Sequence, residues 1–145
     1  MMLPIEKGLN AVLGQAGSAP VMFERLTLSE SWCEAESREY ELVWNGSALA
    51  CSRYYGCWND DKEREKCLER RVTLPKADYE RLCADMGKWG VRGWLGRSYS
   101  NPGVLDGEGF HLTLVENGRK DWSGGSNAFP ENYSLLIGAL RGIFA

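Results

Sequence analysis

The amino-acid sequence predicts an α+β fold: an antiparallel β-sheet, built as a meander plus a hairpin, with two helices packed on one face. Two observations carry this. Asn45-Gly46 and Asn117-Gly118 each separate runs of alternating apolar and polar residues, the strongest short-range signal for a β-hairpin. The helical patterns follow strands singly, without the β-α-β alternation that a parallel sheet would require. A length of 145 residues fits a single domain.

Residues 1–20 read as an N-terminal arm. Ile5, Leu9, Val12 and Leu13 recur at helical spacing, and the Gly- and Pro-containing stretch 14–20 ends any helix there. The domain proper is expected over 21–145. From Val21 the period becomes two, with Met22, Glu24, Leu26 and Leu28 on one side and Phe23, Arg25 and Thr27 on the other. Residues 38–44 place Tyr40, Leu42 and Trp44 on one face, and 48–55 return after Asn45-Gly46. The mixed-charge run 59–66 reads as either a solvated loop or the start of a short helix.

Residues 68–74 form the next predicted strand. Pro75 then opens a helix over 76–86, where Tyr79, Leu82, Cys83 and Met86 make an i, i+3, i+4, i+7 stripe and Gly87 stops the element. The segment 88–104 is the longest irregular stretch, and such loops often carry function. Residues 108–115 alternate again, with Phe110, Leu112 and Leu114 on one face and His111 on the other. After Asn117-Gly118, residues 119–123 return. A closing helix over 131–144 buries Tyr133, Leu136, Ile137, Leu140 and Phe144. Gly138 and Gly142 weaken it by about 1 kcal/mol each relative to Ala, so packing must hold it.

Composition excludes several classes. A hydrophobic fraction of 43% and a charged fraction of 26% are ordinary for a globular chain. The net charge of -3 argues against a nucleic-acid binder, which needs a basic face to displace counterions. Five cysteines cannot all pair internally, and no signal peptide or membrane-length apolar run is evident. A cytoplasmic protein with reduced thiols is expected. Six tryptophans are many for so small a core, so some are expected along a groove or an interface rim.

No catalytic or cofactor motif emerges, and neither a metal nor a cofactor is expected. Cys51-x5-Cys57-x9-Cys67 misses the C-x2–4-C spacing of structural zinc sites. No segment supplies a phosphate loop or a G-x-S-x-G elbow, and a triad would have to use His111, the single histidine.

The C-terminal third is the most specified part. Leu105-Asp106-Gly107 precedes an alternating strand, and Gly125-x-Asn127-Ala128-x-Pro130-x-x-Tyr133 precedes the last helix. This pattern resembles uncharacterised bacterial domains of unknown function. The resemblance implies an arrangement of the fold and no activity. Locally, Asp106 can close an Asx turn, and Asn127 can bond free N–H groups at the helix entry.

Two functional expectations follow. The first is a non-enzymatic protein-binding or regulatory module. Its aromatic and basic loop, with Trp89, Arg92, Trp94, Arg97 and Tyr99, would engage a protein partner or a second copy of the chain, as rings and guanidiniums commonly do at interfaces. The second is a small-ligand-binding protein or enzyme with a polar cleft near the C-terminal hairpin. That reading requires Asp106, His111 and Asn127 to converge on one concave site.

Overall fold

The computed structural model describes residues 19–32, 36–56, 60–101 and 107–145. The expected helix in the N-terminal arm, Asp106, Cys33, Cys57 and Trp58 lie outside the described residues. The architecture is α+β: a seven-stranded, mostly antiparallel sheet with three helices among the described residues.

The strands are β1 (Arg25–Trp32), β2 (Glu36–Trp44), β3 (Ala48–Tyr55), β4 (Leu68–Pro75), β5 (Ser98–Ser100), β6 (Glu108–Glu116) and β7 (Arg119–Ser126). Their order across the sheet is β4-β3-β2-β1-β6-β7-β5. The helices are α1 (Asp61–Lys66), α2 (Lys76–Lys88) and α3 (Tyr133–Ile143), and a 3₁₀ turn spans Val91–Trp94.

The sheet departs from a purely antiparallel one at its edge, where β5 pairs in parallel with β7 over three residues. Such a short strand, lying between glycines, gives no periodic signal to read. The charged run resolves as helix α1, capped by the Asp60 side chain accepting from the Glu63 N–H at 2.9 Å. Its Arg64 ion-pairs with Glu39 and Glu41 of β2.

Alternation sets the two faces of the sheet. Leu26, Leu28, Tyr40, Leu42, Leu49, Cys51, Leu112 and Leu114 all turn to the same side and are buried. Tyr79, Leu82, Cys83 and Met86 from α2, and Leu136, Ile137 and Leu140 from α3, complete that core. The apolar residues of both helices and the apolar rows of the strands thus belong to one buried cluster. The opposite face, including Arg25, Thr27, Glu41, His111 and Trp122, is polar and largely open to solvent.

Candidate functional site

Along β1 the inward positions are Leu26, Leu28 and then Glu30, so the alternation that builds the core also carries a carboxylate into it. Glu30 is 5% exposed and, with Ser123, is one of two buried polar side chains among the described residues. Burying a carboxylate costs several kcal/mol unless it is paired and hydrogen-bonded.

Glu30 has both kinds of support. The Tyr40 hydroxyl donates to Oε2 at 2.6 Å, and Arg141 donates from Nη2 to Oε1 at 2.5 Å and from Nε to Oε2 at 3.4 Å. Tyr40 sits on β2, opposite Leu28. Arg141 lies two turns beyond Tyr133 on the same stripe of α3, as helical periodicity dictates. Burial, reinforced by the bond to Glu30, pushes the Tyr40 hydroxyl up to about 12. The bond to Glu30 likewise holds the Arg141 guanidinium above its ordinary value.

Over this anchor lies a cleft of about 310 Å³, bounded by the adjoining ends of β1, β2 and β6 and by α3. Trp32 and Glu108, which face each other across β1 and β6, form one wall. Arg38, directly opposite Glu30 on β2, forms another. Phe129 and Tyr133 close the side toward α3. The Tyr133 ring packs on Phe110 and Phe129, each with centroids 4.8 Å away, so its orientation is fixed.

Three polar groups of the cleft have unused bonding capacity. Arg38 gives its Nε to Glu69 at 3.1 Å, and its guanidinium lies 6.0 Å from the Trp32 ring and 5.3 Å from that of Tyr55. Its two Nη groups bond to none of the described residues. The Glu108 carboxylate and the Tyr133 hydroxyl likewise have no hydrogen-bond partner among the described residues. Burial, and secondarily the charge of Glu30, raises the Tyr133 hydroxyl above the usual tyrosine range, so it stays a donor at neutral pH.

The sequence-predicted sites are distributed differently. Trp94 is 4% exposed and belongs to the core, while Trp89 and Tyr99 are half-buried and pack against it. Arg92 is engaged with the carbonyls of Ala19 and Pro20, at 2.6 and 2.8 Å, and with Glu116 at 2.8 Å. Arg97 is exposed, and its carbonyl accepts from the Ser123 hydroxyl at 3.1 Å. The rings of 88–104 thus turn mainly inward.

His111 is exposed on the face away from Phe110, its ring nearly parallel to that of Trp122 with centroids 6.4 Å apart. It does not enter the cleft. Asn127 adopts φ 59°, and its N–H donates to the Glu108 carbonyl at 2.7 Å, which fixes the chain beside the cleft wall. Asp106 lies outside the described residues.

Glu30, Arg38, Glu108 and Arg141 were not singled out by sequence reasoning, and Tyr40 only as one of three residues sharing a strand face. One signal was present: Glu30 is in phase with Leu26 and Leu28, and Arg141 is in phase with Tyr133 and Ile137. A charge on each of two otherwise apolar stripes marks a pair that can meet inside. Among the described residues, no cluster of three His, Cys, Asp or Glu side chains is placed to hold a metal ion. No described helix is long and apolar enough to cross a membrane. Comparison with protein-family models, curated proteins and solved structures finds no match to this chain.

Proposed function

We propose that this protein binds a small polar organic molecule in the cleft above Glu30 and does no chemistry on it. The observation that carries this reading is the set of unpartnered groups of Arg38, Glu108 and Tyr133 around one cavity with aromatic walls. Ligand sites combine a largely apolar lining with a few convergent polar groups, and about 310 Å³ lies at the small end of their usual volumes. Binding is favoured over catalysis because both oxygens of Glu30 are occupied by Tyr40 and Arg141. The carboxylate acts as a fixed strut that aims Arg141, and is poorly disposed to take a proton from a substrate.

The test is a titration of ¹⁵N-labelled protein with a library of small acids, amines, amides and neutral aromatics. Binding should shift the amides around Trp32, Glu108, Tyr133 and Arg141 and leave those around His111 unmoved. Tyr133→Phe should weaken a ligand that reaches its hydroxyl by about 3–10-fold, the worth of one neutral hydrogen bond. A library that leaves the cleft amides unmoved overturns the reading.

A second reading, a module that binds a second copy of the chain, is favoured by Trp122, which is 46% exposed beside His111 on the open face. Sedimentation velocity would then show self-association that Trp122→Ala removes.

A further inference from the structure

The cleft carries opposite charges on separate walls. Arg38 and Arg141 are the cations that line it, and Glu30 and Glu108 are the anions. Arg141 and Glu30 neutralise each other at 2.5 Å. The remaining pair behaves differently: Arg38 and Glu108 line the same cavity but form no ion pair with each other, and Arg38 only shares the Glu69 carboxylate with Arg53. Arg38 keeps its Nη groups open because Nε alone meets Glu69 and the rings of Trp32 and Tyr55 flank the guanidinium.

Their separation follows from the sheet. Arg38 is on β2 and Glu108 on β6, with β1 between them. Two inter-strand steps put their backbones about 10 Å apart across the sheet. Arg38 is level with Glu30, whereas Glu108 is level with Trp32, two positions further along β1. Two opposite charges held apart by a cavity fit a ligand that brings both complementary charges on one small frame. A simple anion would meet Glu108, and a simple cation would meet Arg38.

We infer that the ligand is a zwitterion of amino-acid size with a planar side chain. This rests on the cleft being a ligand site. The carboxylate is placed against the Arg38 Nη groups, which can hold it through two parallel charge-assisted bonds. The ammonium is placed against Glu108. The planar side chain lies among Phe129, Tyr133 and Trp32, where offset or edge contacts between rings add to burial. The Tyr133 hydroxyl remains as a donor to a polar atom of the ligand.

The experiment is isothermal titration of the full chain with L-phenylalanine, 3-phenylpropionate and 2-phenylethylamine, which differ in carrying both charges or one. L-Phenylalanine should bind at least about tenfold more tightly than either analogue, since each lost charge-assisted bond is worth about 1.4 kcal/mol or more. Arg38→Gln should weaken L-phenylalanine and 3-phenylpropionate but not 2-phenylethylamine. Glu108→Gln should weaken L-phenylalanine and 2-phenylethylamine but not 3-phenylpropionate.

Glu108 is exposed, so its variant should fold, and thermal melts check both proteins. An analogue that binds as tightly as L-phenylalanine would overturn the zwitterion assignment. So would failure of L-phenylalanine, L-tyrosine, L-tryptophan and L-histidine to bind while other library members shift the cleft amides. In both cases the ligand-binding reading itself survives. Only a cleft silent to every compound removes both.

Discussion

At Glu30 a single side chain couples the core to the cleft. Its side chain is 7% exposed, whereas that of Arg141 is 59% exposed, so the pair is buried on one side only. Solvent around Arg141 screens the attraction, and the Tyr40 bond remains when Arg141 is removed. Arg141→Ala and Glu30→Gln are each expected to cost about 1–3 kcal/mol in urea unfolding. The double variant should cost less than the sum, because the two residues act on each other. Strict additivity would show that the pair contributes nothing beyond packing. Trp94 gives the contrast. Its ring is in the core beside Tyr133, with centroids 6.4 Å apart, so Trp94→Ala is expected to cost about 3–5 kcal/mol by opening a cavity. A loss below 1 kcal/mol on thermal or chemical unfolding would show that the ring is dispensable to the core.

At the scale of elements, what was legible depended on whether a segment's own residues determine its conformation. Asn117 and Gly118 have φ of 55° and 75°, as a two-residue type I′ turn requires, and the dipeptide alone announces it. At the other Asn-Gly only Gly46 has positive φ, and Ser47 joins the loop. There Asn45 Oδ1 accepts from the N–H groups of Ser47 and Ala48, both at 2.8 Å, which reinforces the backbone bond from the Asn45 N–H to the Ala48 carbonyl at 3.2 Å. The apolar stripes of α2 and α3 were readable because the 3.6-residue period is local. The continuation of β1 through Glu30 to Trp32 was not, because polar residues occupy it and only the pairing with β2 and β6 defines it. The cleft was missed for the same reason: its walls come from four elements and meet through register alone.

Two glycines of this region have opposite prospects. A Cβ on Gly125 would fall 2.4 Å from the Ala128 carbonyl oxygen and 2.7 Å from the Phe110 ring, both held in place. Gly125→Ala is therefore expected to destabilise by about 1–3 kcal/mol. A Cβ on Gly138 of α3 would meet nothing within 4 Å, so Gly138→Ala should stabilise by about 0.5–1 kcal/mol through the lower entropy of the unfolded chain. Melting curves of the two variants should move in opposite directions; a Gly125→Ala melt that does not fall would refute the close approach there, and a Gly138→Ala melt that falls would refute the open space at that helix position.

Across the whole molecule, burial of ionisable groups in and beside the core governs how stability responds to alkali. Burial pushes the Cys51 thiol from an ordinary 9.0 up to about 12, and the Tyr40 hydroxyl from 10.0 up to about 12. Burial also raises the Tyr79 and Tyr133 hydroxyls above the tyrosine range. In the unfolded chain these groups lose their protons near their ordinary values. Between about pH 9 and 12 the unfolded state therefore binds fewer protons than the folded one, and stability falls as pH rises. The contribution is complete below about pH 9 and is lost as pH climbs through the folded-state values. Urea midpoints measured from pH 7 to 11 should hold steady to about pH 9 and then decline. Burial raises the Cys83 thiol from the same ordinary value, so Cys51→Ala alone should only soften the onset, and Cys51→Ala with Cys83→Ala should delay it by about one pH unit. Tyr40→Phe lowers the whole curve by the lost bond to Glu30 and flattens its steepest part above pH 10. A midpoint independent of pH up to 11 would mean that water reaches these groups in the folded state, and their burial would be refuted.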